Sequence, residues 1–163
     1  FIIVDKISYL KKETWLTERS NLQDLLNRWI TSWRKEDLKN YISHYSKDQF
    51  YSPIKGNFYN YKKYKKSVFW SKGAPNIRMS QLSLFKEGPY IRARFIQDYK
   101  SSRIIDTGIK TIYLAKDNQY QWKIIRELWS RYAPAKLVKS EIQNKIFRPN
   151  MRFFLPKTGP QNE

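Results

Sequence analysis

The sequence predicts an α+β fold in which N-terminal helices pack on a curved antiparallel sheet. Three observations carry this. Helical apolar spacing is confined to the first part of the chain. Strand-like alternation runs through the second part. The turn signals between the strand-like stretches are too short for crossovers, so neighbouring strands run antiparallel in a meander.

The helices come first. In "NLQDLLNRWITSW", Leu22, Leu25, Leu26, Trp29, Ile30 and Trp33 recur at spacings of three and four, one broad apolar stripe. Ser20 or Asn21 is the expected N-cap. "KEDLKNYISHY" follows after a very short break and aligns Leu38, Tyr41, Ile42 and Tyr45, so the two helices form a hairpin. A third short helix is expected in "NYKKYKKSVFW", with Tyr61, Tyr64 and Val68 aligned.

Four strands follow: "NIRMSQLSLF", "YIRARFIQDY", "RIIDTGIKTIYLA" and "YQWKIIRELW". Glu87-Gly88-Pro89, Lys100-Ser101-Ser102 and Lys116-Asp117-Asn118 mark the turns between them. The two-residue period puts Ile91, Ala93, Phe95, Gln97 and Tyr99 on one face of the second strand. In the third, Asp106, Gly108, Lys110 and Ile112 share a face. In the fourth, Tyr120, Trp122, Ile124, Arg126 and Leu128 oppose Lys123, Ile125, Glu127 and Trp129. Neither face is wholly polar, as expected of a bent sheet that wraps a helix and keeps a partly open mouth. Residues 1–14 are expected to be a lead-in, 15–132 the domain, and 133–163 a Pro-containing basic tail with room for one short helix in "KLVKSEIQNKIF".

Composition bounds the chemistry. The chain has 163 residues, enough for one core, and 17% are aromatic, too many for a disordered segment. It holds no cysteine, which excludes disulfides, thiolate metal sites and a Cys nucleophile, and is compatible with periplasm and cytosol alike. Phe1 is not a natural start, so the chain is expected to be a piece of something longer. The net charge of +18 points either to polyanionic partners (nucleic acid, anionic lipid or acidic wall polymers) or to a proteome that is basic throughout. From Gln49 to Lys86 there is no acidic residue, and Lys62, Lys63, Lys65 and Lys66 alternate with tyrosines, a polyanion-binding stripe or a solvated helix face.

The segments "LLNRWITSWRKEDLKNYISHYSKDQF", "RFIQDYKSS", "DTGIKTIYL" and "QWKIIRELW" resemble the nuclear-transport-factor-2-like domain appended to bacterial L,D-transpeptidase-type cell-wall enzymes. The resemblance implies a cone-shaped α+β fold and a role in binding or positioning peptidoglycan. Those enzymes use a catalytic Cys in a separate domain; this chain has none, so it is expected to be non-catalytic and to need no cofactor. The implied partners are a peptidoglycan fragment, a cell-wall enzyme domain or a second copy, in the periplasm or cell envelope.

The candidate ligand-binding residues are Gln97, Tyr99, Lys110 and Glu127, with Tyr41, Tyr45 and Trp70 as an aromatic wall. An ammonium, an amide and a phenol suit the carboxylates, amides and hydroxyls of a wall fragment. Each has a plainer reading: Lys110 and Glu127 as a cross-strand structural pair, the aromatics as core. The sole histidine, His44, has no clustered ligands, so no metal site is expected. Asp98 and Asp106 are read as surface partners of basic residues rather than an acid–base pair. A nucleic-acid-binding protein, a small cone-fold enzyme and a dimerisation module remain as rivals.

Overall fold

The computed structural model describes residues 2–131. In chain order the elements are α1 (Ile2–Arg34), α2 (Leu38–Ser43), a two-stranded hairpin of β1 (Tyr51–Ser52) and β2 (Gly56–Asn57), α3 (Phe58–Lys72), and a sheet of β3 (Asn76–Glu87), β4 (Tyr90–Lys100), β5 (Ile105–Lys116) and β6 (Trp122–Arg131). The sheet order is β3-β4-β5-β6, antiparallel throughout. The expected α+β architecture is therefore the observed one. The expected tail lies outside the described residues. No described helix is long and apolar enough to cross a membrane.

Two boundaries differ from expectation. Helix α1 does not begin at a cap near Ser20 or Asn21; it runs through them from Ile2. The stretch before them has no Pro or Gly and is rich in Lys, Glu and Leu, so nothing stops the helix there. The β1–β2 hairpin was not legible at all, because two-residue strands carry no periodicity.

The caps beyond α1 are conventional. Asp37 starts α2 by accepting from Asn40 N at 3.0 Å, and Asn57 starts α3 by accepting from Asn60 N at 3.1 Å. After α2 the chain hooks onto the sheet edge: Ser46 N donates to Ile124 O at 2.9 Å and Ile124 N to His44 O at 2.8 Å. That bridge covers part of β6 and fixes Tyr45 beneath it. The core is the apolar stripe of α1 against one sheet face. Leu22, Leu26, Trp29, Ile77, Ile91, Ala93, Ile112, Leu114 and Ile124 are all fully buried. Burying each large member contributes about 1.5–3 kcal/mol.

Two β-bulges set which side chains face this core. On β3 the pairing passes from Ser80↔Ile96 to Ser83↔Arg94, so Gln81 (φ 54°) and Leu82 together oppose Phe95. On β6 it passes from Leu114↔Ile124 to Tyr113↔Arg126, leaving Ile125 without an opposite residue. An extra residue reverses the alternation beyond it. Ile124 and Glu127 therefore both point into the core, although strict alternation puts them on opposite faces.

Candidate functional site

The bulge at Ile125 turns Glu127 inward, where its side chain is 9% exposed and forms an ion pair with Lys110. Lys110 stands diagonally across on β5; its direct neighbours are Phe95 and Trp129. Glu127 Oε1 also accepts from the hydroxyls of Tyr45 and, at 3.1 Å, Tyr61. Tyr41 completes a triangle of phenols, 2.6 Å from Tyr45 OH and 3.2 Å from Tyr61 OH. Trp29 Nε1 donates to Tyr45 OH at 3.0 Å. A hydroxyl has one proton: with that of Tyr45 on the carboxylate, its oxygen is left to accept from Trp29 and Tyr41.

A second ammonium enters from α3. Tyr61, Lys65 and Phe69 are spaced by four and share the buried face of that helix, so Lys65 is only 7% exposed. Its Nζ lies 4.1 Å from the Trp33 ring centroid and 5.1 Å from that of Tyr41. Lys110 Nζ sits 5.9 Å from Trp33 and 6.0 Å from Trp29. Aromatic faces thus take up part of the solvation both ammoniums lose.

The electrostatics follow from this crowding. Burial alone pushes the Glu127 carboxyl up. The charges of Lys110 and Lys65, with hydrogen bonds from Lys110 and Tyr45, outweigh it and hold the carboxyl below its ordinary 4.5. Burial, with the negative charge of Glu127, drives Tyr41, Tyr45 and Tyr61 well above 10, so all three stay protonated as donors.

Beside this centre, Gln97 is 4% exposed and its Oε1 has no hydrogen-bond partner among the described residues. Gln97 pairs across the sheet with Gly108. A Cβ at Gly108 would come within 2.7 Å of the Trp129 ring, so that ring lies over the glycine. Tyr99 is half-buried against Trp33, ring centroids 5.9 Å apart. Among the described residues, the centre brings together Lys110, Lys65, the Glu127 carboxylate, protonated phenols and the unsatisfied Gln97 oxygen. It has donors for a carboxylate and an acceptor for an N–H or O–H.

The structure thus gathers Lys110, Glu127, Tyr41 and Tyr45 around one carboxylate, with Gln97 and Tyr99 on the same sheet face. Trp70 lies outside the described side chains. The lysine stripe is corrected: Lys62, Lys63 and Lys66 are exposed, but Lys65 is turned inward by the helical period and is no surface contact. Tyr64, expected on the packed face, is 37% exposed. Sequence reasoning missed Tyr61, Lys65 and Trp129 as members of the centre; the spacing of Tyr61, Lys65 and Phe69 was the available signal for the first two.

The remaining candidates are separate from it. His44 Nδ1 lies 2.7 Å from Asn40 O, and burial lowers its pKa below 6.5. No group of potential metal ligands occurs among the described residues. Asp98 accepts from Thr107 Oγ1 at 2.8 Å and pairs with Arg78, and Asp106 pairs with Arg131.

A search of the curated proteins finds no match. Among solved structures, Bd1075 of Bdellovibrio bacteriovorus is similar at 26% identity and a TM-score of 0.65, over 72% of this chain and 41% of that one. The helical cell shape determining protein Pgp2 of Campylobacter jejuni is similar at 27% identity and a TM-score of 0.54, over 64% of this chain and 38% of that one. The chain thus spans about two fifths of the length of these two. An NTF2-like superfamily protein of Salmonella enterica, at 15% identity and a TM-score of 0.64, covers 73% of this chain and 94% of its own, and shows the fold alone. The sequence model of the Cds6 C-terminal NTF2-like domain matches residues 21–128, and the chain belongs to that NTF2-like family.

Proposed function

We propose that this domain is a non-catalytic ligand-binding or positioning domain of a bacterial peptidoglycan-modifying system, working in the cell envelope beside a cell-wall enzyme domain. The observation that carries this reading is the centre at Lys110 and Glu127. The buried charges of Lys110 and Glu127, and a Gln97 oxygen with no hydrogen-bond partner among the described residues, cost stability. A structural pair does not need an unsatisfied amide beside it. A peptidoglycan stem peptide offers the matching groups, carboxylates for Lys110 and amide N–H for Gln97. The similarity to a cell-shape protein supports the same direction.

The test is a titration of purified muropeptides at two salt concentrations against wild type, Lys110→Ala, and Lys62, Lys63 and Lys66 all reversed to Glu. Lys110→Ala should abolish binding, while the triple reversal should leave it within about twofold. Loss of binding with the triple reversal, together with a steep salt dependence, would assign the site to a polyanion surface instead.

A further inference from the structure

A cleft lies at the other end of the sheet. The registers Tyr90↔Ala115 and Lys116↔Trp122 bring the β3–β4 and β5–β6 turns together. Between them opens a cleft of about 820 Å³ whose walls include Tyr90, Tyr120 and Trp122. Tyr90 is 44% exposed and Tyr120 83%.

Two features separate this cleft from incidental surface. The first is charge. In a chain of net charge +18, the cleft's ionisable lining is balanced, with Lys86 and Lys116 against Glu18 and Asp117. Lys116 is already paired with Glu18 at 3.2 Å and lies 5.0 Å from the Trp122 ring centroid. A polyanion finds no surplus of cations here. The second is the way Tyr120 is held. It sits at φ 58°, in the left-handed region that bulky side chains avoid. Asp117 Oδ1 fixes the turn by accepting from Gln119 N at 2.8 Å and Gln121 N at 3.0 Å, and Tyr120 N donates to Asp117 O at 3.0 Å. Gly or Asn would take that backbone more cheaply. A strained tyrosine that buries almost nothing is unexplained by packing.

We propose that this cleft binds a neutral glycan chain, with Tyr120, Tyr90 and Trp122 as stacking surfaces. The C–H face of a pyranose is weakly positive and meets the negative face of an aromatic ring. Sugar hydroxyls both donate and accept. The amides of Gln49 and Asn118 and the charged groups on the walls offer both roles. A rigid turn presents the Tyr120 ring with little ordering left for the ligand to impose. The site is separate from the Lys110–Glu127 centre and does not depend on its reading: Lys110 and Lys116 are roughly 20 Å apart at about 3.3 Å per strand residue.

The test uses the full 163-residue chain. Chitohexaose and cellohexaose, both uncharged, are titrated into the millimolar range and followed by tryptophan fluorescence and calorimetry at low and high salt. Wild type should bind at least one of them, with affinity unchanged by salt. Tyr120→Gly should raise Tm by a few degrees through relief of strain, yet weaken binding by about tenfold, a loss no folding defect explains. Lys63→Glu, at an exposed residue of α3 that does not line the cleft, should bind as wild type does. The proposal is overturned if neither oligosaccharide binds, or if Tyr120→Gly binds as tightly as wild type. Saturation of the cleft by a proline-rich peptide that neither sugar displaces also overturns it, since aromatic grooves take such segments too.

Discussion

Lys110 and Lys116 lie on the same strand, and each pairs with a glutamate and stands near a tryptophan. Lys110 pairs with Glu127, the two side chains 8% and 9% exposed; Lys116 pairs with Glu18, and its side chain is 44% exposed. The chemistry is nearly the same and the surroundings are not. At the buried end, water cannot replace a lost partner, so each charge depends on the others. At the open end, solvent screens the pair and the ring contact is optional. A Lys–Glu pair therefore has no fixed worth on this sheet: its depth decides it.

The sharpest way to break the contrast is Glu127→Gln. It keeps the shape but leaves Lys110 buried without the carboxylate it pairs with, and should cost about 3–5 kcal/mol in a urea or thermal unfolding experiment. Gly108→Ala comes next. The added methyl meets the Trp129 ring and the β6 backbone, so it should cost about 1–3 kcal/mol by overpacking. Acid probes the same centre without mutation. The Glu127 carboxyl is held below its ordinary 4.5, so its contribution is fully present above that pH and is lost as pH falls through the lower folded value. Glu127→Gln should flatten that acid limb of the stability profile. The smallest effect is expected from Lys116→Ala, about 0–1 kcal/mol and reduced further by salt. Equal costs for Glu127→Gln and Lys116→Ala would erase the comparison.

Much of the fold was legible because its signals are periodic. The stripe of Leu22, Leu26 and Trp29, the alternation of Ile91, Ala93 and Phe95, and the short turns each follow from one repeat. The site was legible only where it obeyed the same repeats. Gln97 and Lys110 fall on the buried face by simple alternation. Glu127 was named as the partner of Lys110, but alternation set it opposite Ile124, and only the bulge at Ile125 brings both inward. Sequence gives no local sign of that bulge, since Ile125 is as good a strand residue as its neighbours. Lys65 was misread for a related reason. Its neighbours Lys62, Lys63 and Lys66 are surface residues, and composition groups all four, whereas the helical period separates one. The strained Tyr120 had no signature at all, because the left-handed backbone normally announces itself through Gly or Asn.

The central claim is that the polar groups on the buried sheet face serve a ligand, and Gln97→Leu tests it most directly. Leucine of similar volume removes a buried, unpartnered oxygen, which should leave the protein as stable as wild type or about 1–2 kcal/mol more stable. Muropeptide affinity, measured by calorimetry on the same samples, should fall by about tenfold or more, because the ligand loses its acceptor. Unchanged affinity in a protein of equal or greater stability would contradict the account, and would make the interruptions of the sheet face structural.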